Sequence, residues 1–334
     1  MENMDKSKDT KINLNTNGLF IIQSANDWIT QASRQPLPKK LIDILWHENE
    51  LCILFADTGT GKSILAVQTA DHLSRGKSKF PFVCEADPQP VIYCDFELSA
   101  KQFEIRYSNN GQNHYQFSDK FLRLEINPDA DIPDGQSFEQ LVFPYIEQTL
   151  QQTEAKILIV DNLTYLRTGT ETAKDALPLM KLLKQLKRKY DLSILVLAHT
   201  PKRDMTRPIN VNDLQGSKML INFCDSAFSI GHSTHSQNLR YIKQIKVRNT
   251  EKKYDSDNVI LMTLGKDDNI TKFDFTEFSF EALHLKQRKK SEENKKQAIE
   301  LQQEGKSLRE SADIMGVSHE CVRKLIKKDN EIPF

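Results

Sequence analysis

The chain has 334 residues, with 46 Lys and Arg against 46 Asp and Glu, so its formal net charge is zero. That balance excludes attraction of nucleic acid by a whole-protein field and leaves only local basic patches for such a role. Hydrophobic content of 38% and charged content of 28% exclude a fibrous or highly charged disordered chain, and the five scattered cysteines form no C-x-x-C pair, which points to neither a zinc site nor a disulfide framework and suits a reducing compartment.

Residues 1–18 are polar and charged and read as a disordered lead. They carry no apolar signal-peptide core, and no stretch is apolar enough to span a bilayer, so a cytoplasmic protein with no membrane partner is expected. Residues 19–285 form the main domain. After the Pro36-Leu37-Pro38 break and the apolar entry Leu41–Leu45, strands and helices alternate. Leu51–Phe55 reads as a buried strand, Ser63–Arg75 as a helix, Val91–Asp95 as a strand and Ala100–Tyr107 as a helix. Asn109–Asp134 is a polar stretch holding a short strand at Phe121–Leu124. Then follow a helix over Ser137–Gln152, a strand over Ile157–Val160 ending at Asp161, an amphipathic helix over Ala176–Tyr190 and a strand over Ile194–Ala198. Leu214–Phe223 reads as helix, and Asp225–Ile230, Tyr241–Val247, Val259–Thr263 and Phe273–Phe280 as strands. The alternation implies an α/β fold: a mostly parallel sheet with helices on both faces and an antiparallel extension.

A charged run at 286–296 marks a linker, and 297–334 reads as a small all-α module. Lys296–Glu304 has near-helical apolar spacing, Ser307–Val317 reads as helix and turn, and Ser318 is a good N-cap for a helix over His319–Lys328. Two short helices around Gly316-Val317 give a helix-turn-helix pattern. In a major groove, His319, Glu320 and Arg323 would lie near base edges, and Lys324, Lys327 and Lys328 near phosphates. A small capping or interaction helix pair is the competing reading.

The chemistry concentrates where strands end. Leu51–Phe55 runs into Ala56-Asp57-Thr58-Gly59-Thr60-Gly61-Lys62-Ser63, close to the phosphate-loop pattern G-x-x-x-x-G-K-[ST]. Glycines let consecutive N–H groups face one anion at a helix N-terminus. Asp57, Thr58, Gly59, Thr60, Gly61, Lys62, Ser63 and Ile64 would line a nucleotide. Lys62 would reach the β- and γ-phosphates and Ser63 would hold Mg²⁺. Ala56 stands at the first glycine position, where a turn needing positive φ would be strained. Asp161, delivered by an apolar strand to its carboxyl end, would share the metal or simply end the strand in a turn. Asn162 follows it and cannot take a proton from water, so the base must come from elsewhere. Glu97, just past the second strand, is the candidate general base; its bland reading is a glutamate favoured beside a helix dipole. His199 ends another strand and is either a γ-phosphate sensor or a structural histidine. Lys246 and Arg248 share a strand face, either as an arginine finger for a neighbouring subunit or as an exposed basic face. His232-x-x-His235 has no third ligand nearby and reads as a polar loop.

Together these residues resemble the RecA-like ATPases, in particular the RepA-like branch of hexameric helicases found on plasmids and mobile elements, over about Leu37 to Phe280. The resemblance implies a catalytic Glu97, an Arg106 in the next helix, a metal-binding Asp161, the strand-end pair His199 and Lys202, a Gly-Ser turn at Leu214-Gln215-Gly216-Ser217, and a Lys246-x-Arg248 finger acting across subunits. It implies ATP and Mg²⁺ as cofactors, and a homo-oligomeric, hexameric ring around single-stranded DNA. The helix-turn-helix module, extra to that core and resembling those of resolvases, would add duplex DNA as a partner. An ATP-gated DNA-binding regulator without unwinding activity and a RecA-type recombinase are the alternative functions.

Overall fold

The computed structural model describes residues 20–127, 129, 138–163, 173–201, 203–214, 217–248, 251–286 and 291–327. The expected disordered lead at 1–18, Lys202, Gln215 and Gly216 of the Gly-Ser turn, linker residues 287–290, Lys328 and the side chain of Lys327 lie outside them. Two compact units are distinguished, Met1–Pro38 and Lys39–Phe334. The first contains α1 (Ala25–Ala32), started by Ser24, whose hydroxyl accepts the Asp27 N–H.

In the second unit, a small hairpin of β1 (Lys40–Ile42) and β2 (Trp46–His47) precedes β3 (Leu51–Ala56), α2 (Lys62–Arg75), β4 (Val91–Asp95) and α3 (Ala100–Arg106). A second hairpin, β5 (Ser108–Asn109) and β6 (Gln112–His114), leads to β7 (Phe121–Leu124), α4 (Phe138–Thr153), β8 (Ile157–Asp161), α5 (Ala173–Tyr190) and β9 (Ser193–His199). Then come α6 (Ser217–Phe223), β10 (Ser226–His232), β11 (Leu239–Lys246), β12 (Val259–Asp267), β13 (Ile270–Ser279) and the single turn α7 (Glu281–His284). The chain ends in α8 (Ser291–Gln303), α9 (Leu308–Met315) and α10 (His319–Lys327). Among the described residues, no helix is long and apolar enough to cross a membrane.

The principal sheet runs β13-β12-β11-β10-β3-β9-β8-β4-β7. The strands from β10 to β7 are parallel, and β11, β12 and β13 extend them antiparallel. Strand residues alternate between two cores, as the two-residue period requires. Leu51, Ile53 and Phe55 pack with residues of α4, α5 and α6, while Cys52, Leu54 and Ala56 pack with α2. Both faces are therefore covered, and the apolar runs of the central strands follow from that double burial.

The helix expected from Leu214 starts later. Leu214 is extended, following a 3₁₀ turn over Val211–Asp213 closed by a reciprocal Asn210–Asp213 cap. Polar side chains at 108–114 gave no strand pattern, yet β5 and β6 form there around Gly111 at φ 76°.

The antiparallel extension clasps α2. Gln68 donates its amide to the Phe273 carbonyl at 3.0 Å and accepts the Phe273 N–H at 2.8 Å. The Phe273 ring is fully buried and lies where a Cβ on Gly61 would come within 2.7 Å of it. Phe273→Ala is expected to cost about 3–5 kcal/mol of stability through the cavity it leaves, read as a lower denaturant midpoint in equilibrium unfolding.

Helices α8, α9 and α10 share a small core of Ala298, Ala312 and Val322, with Leu308, Met315, Val317, Leu325 and Ile326 against it. Ser307 and Glu310 form a capping box on α9, which ends at Gly316 in the left-handed region. With Val322 turned inward, His319, Glu320, Arg323 and Lys324 are exposed on α10.

Candidate active site

Parallel pairing aligns the carboxyl ends of the strands that carry the predicted chemistry. Ala56 is in register with His199, and Asp95 with Asp161. Because β9 lies between β3 and β8, His199 stands between the phosphate loop and Asp161. The loop turns at Gly59 (φ 72°) and Gly61 (φ 102°). Ala56, by contrast, is the last residue of a strand paired on both sides and has no positive φ. The strain expected at Ala56 is absent because the left-handed turns fall on the two glycines that follow. Open space surrounds the missing Cβ of Gly59, and the Thr60 hydroxyl ties the loop by donating to the Asp57 carbonyl at 2.8 Å.

Lys62 opens α2 and is buried. Its ammonium donates to the Ala56 and Asp57 carbonyls, both at 3.0 Å, and to His199 Nδ1 at 3.3 Å. Burial lowers its pKa from the ordinary lysine value, against the opposing pull of Asp161, Glu97 and Asp57. Since an ammonium only donates, Nδ1 is the acceptor of that contact, and the Asn162 amide nitrogen lies 3.2 Å from the other ring nitrogen, Nε2. That nitrogen faces Glu97 Oε1 at 3.5 Å. The contact with His199 is the main reason the Glu97 carboxyl is held below the usual carboxylate range, with Lys62 and Arg106 adding to it. Glu97 is therefore an ionised carboxylate, 40% exposed at its side chain.

Two further carboxylates shape this corner. Asp95 is buried; its Oδ1 accepts the N–H groups of Glu97 (3.2 Å) and Leu98 (3.0 Å), and its Oδ2 pairs with Arg123 Nε at 2.9 Å. That turn projects Glu97 away from the strand end. Asn162 Nδ2, beside His199 Nε2, donates to the same Glu97 Oε1. Asn162, which cannot take a proton itself, thus holds the carboxylate expected to do so.

Asp161 is buried and accepts the Tyr93 hydroxyl at 2.6 Å. Burial pushes its pKa up to about 6, with Glu97 and Asp95 adding to the rise, against the hydrogen bonds from Ser63 and Tyr93. A serine hydroxyl hydrogen-bonded to a buried carboxylate is a pair of hard oxygen donors. Such a pair fits Mg²⁺, which takes one or two protein oxygens and completes its shell with phosphates and water.

Residues 22–205 match the family model of the AAA domain. The chain belongs to the AAA domain family. The match contains the phosphate loop, Glu97, Asp161 and His199, and it makes this a phosphate-loop ATPase domain. Among solved structures, the chain is similar to the KaiC-like protein PH0186 from Pyrococcus horikoshii OT3, with 14% identity and a TM-score of 0.48, over 69% of this chain and 91% of that one. A comparison with curated proteins gives no match.

Lys246 and Arg248 lie beyond the AAA domain match. Antiparallel pairing sets Lys246 opposite Ala227 and Arg240 opposite His232, so Lys246 is at the amino end of the parallel strands, about 20 Å along β11 from the loop end. Its ammonium donates to the Ile221 and Cys224 carbonyls at the end of α6. Arg248 Nη2 donates to the Asn222 carbonyl at 3.2 Å, and Nη1 lies 3.5 Å from Asp225. The two cations are thus grouped together, remote from this chain's own Lys62, and Arg248 is half exposed.

Four residues around the site have roles not expected from sequence: Tyr93 and Asn162 within the AAA domain match, and Arg240 and Phe273 beyond it. Only Arg240 left a signal, as a cation beside the apolar residues Leu239, Tyr241 and Ile242 of a buried strand, where an unpaired charge is costly.

Proposed function

We propose that the chain hydrolyses ATP with Mg²⁺ and couples the reaction to DNA, as the motor of a RepA-like ring helicase. The observation that carries the reading is the Lys62–His199–Glu97 line beside the Ser63–Asp161 pair, all at the carboxyl ends of the parallel strands. The loop N–H groups and Lys62 would bind the β- and γ-phosphates. Glu97 would accept a proton from the attacking water as its oxygen bonds to the γ-phosphorus and the bond to the β-phosphate oxygen breaks. Ser63 and Asp161 would hold Mg²⁺, which neutralises charge developing on the phosphate oxygens. His199, bonded to Lys62 through one nitrogen and facing Glu97 through the other, is placed to register loss of the γ-phosphate.

Lys246 and Arg248 support assembly. Their distance from this chain's own loop means that a role at a γ-phosphate requires a neighbouring copy, as in a closed ring. The exposed polar face of α10, with His319, Glu320, Arg323 and Lys324, fits duplex DNA through groove and phosphate contacts. The same face also favours a second reading, an ATP-gated DNA-binding regulator that does not unwind.

ATPase activity measured with and without single-stranded DNA, together with native mass, tests the proposal. Stimulation by single strands and a closed ring are expected. Unstimulated turnover with sequence-specific duplex binding selects the regulator, and filaments of indefinite length select a recombinase.

A further inference from the structure

We propose that Arg240 is a positioning residue of the phosphate loop, holding the Thr60 carbonyl back so that the Gly61 N–H stays turned toward bound phosphate. The proposal rests on the nucleotide-binding reading of the loop and identifies what fixes its geometry.

Arg240 enters from β11, opposite His232 in the β10–β11 pair, and is 5% exposed. Its Nε donates to the Thr60 carbonyl at 3.2 Å. Nη1 donates to the Gln237 and Leu239 carbonyls at 2.5 and 3.0 Å, which locks the plane of the guanidinium against its own turn. Burial lowers the pKa of the group, yet a guanidinium remains charged in proteins.

The Thr60–Gly61 peptide is not among the cis bonds of the chain. In a planar trans peptide the C=O and the N–H point in opposite directions. Fixing the Thr60 oxygen toward Arg240 therefore fixes the Gly61 N–H toward the opposite side, the mouth of the loop. The constraint is needed at this position. Turning a peptide plane over changes ψ of the residue before it and φ of the residue after it, and glycine accepts either sign of φ. Gly61 gives little resistance of its own, and a flip would bring a carbonyl oxygen against a phosphate. The neighbouring restraints act elsewhere: the Thr60 side chain is anchored to Asp57, and Phe273 packs against the Gly61 Cα. Neither holds the carbonyl.

The test uses the full chain and the variants Arg240→Gln and Arg240→Lys. Binding of a non-hydrolysable ATP analogue, ADP and adenosine is measured by calorimetry, with the melting temperature and the split between KM and kcat. Arg240→Gln should weaken the ATP analogue and ADP about tenfold, the scale of one charge-assisted hydrogen bond, and raise KM with kcat changed far less. Adenosine, which has no phosphate to meet the loop, should bind as it does to the wild type. Arg240→Lys, which keeps a charged donor, should lose less. If Arg240→Gln does not fold, Arg240→Lys decides by the same ratio of phosphate-bearing to phosphate-free ligand. Unchanged ATP-analogue affinity in the folded variants, or an equal loss for adenosine, overturns the proposal. A wild-type chain that binds neither the ATP analogue nor ADP overturns the nucleotide reading itself, and with it this role.

Discussion

Lys62→Ala is expected to abolish measurable nucleotide binding. The ammonium is the charge that would meet two phosphates at once, and each charge-assisted contact is worth about 1.5–3 kcal/mol. Affinity for an ATP analogue should fall by roughly a hundredfold or more, and residual turnover by a further ~10²–10³ through lost stabilisation of charge in the transition state. Unfolding does not explain such a loss. The Ala56 carbonyl released by the substitution still accepts the Thr200 N–H at 3.1 Å, and the strand and helix on either side are buried and paired without Lys62. Calorimetric titration beside a thermal melt separates the two effects. Wild-type affinity in the variant would remove the phosphate-cradle assignment.

Glu97→Gln should do the opposite: bind nucleotide normally and stop turning it over. A glutamine matches the shape of the carboxylate and can still accept the Asn162 amide, so the contacts around it survive. What it loses is the ability to take a proton, a contribution of about 10²–10⁴ in kcat. The side chain is 40% exposed, so the fold should scarcely register the change. Single-turnover hydrolysis of bound ATP, followed alongside analogue affinity, is the measurement. Turnover at the wild-type rate would place the base elsewhere, and lost affinity would make Glu97 a binding group instead.

The two experiments bear on residues of different legibility. Lys62 was marked by its own neighbours in the chain, since a phosphate loop is built from consecutive residues. Glu97 was found by elimination, because Asn162 stood where a carboxylate might have been. What Asn162 does could not be read, because its partners Glu97 and His199 are 65 and 37 residues away. Tyr93 was hidden in the same way, as one more apolar-looking residue of a strand whose hydroxyl ends on Asp161. Long strands and helices could be located because burial on one or two faces writes a period into the sequence. The short hairpins at 40–47 and 108–114 carry too few residues to write one.

The sequence by itself determined the order of the longer strands and helices of the main sheet, the phosphate loop, and the carboxylates at strand ends, because those depend on local spacing and on which residues must be buried. The tertiary structure decided that β9 separates β3 from β8, so that His199 bridges Lys62 and Glu97. It decided that Ala56 is an unstrained strand residue and that the positive φ angles fall on Gly59 and Gly61. It also set Arg240 behind the loop and Lys246 at the far end of the same strand. These are contacts between segments distant in the chain, and only the folding of the sheet brings them within hydrogen-bonding range.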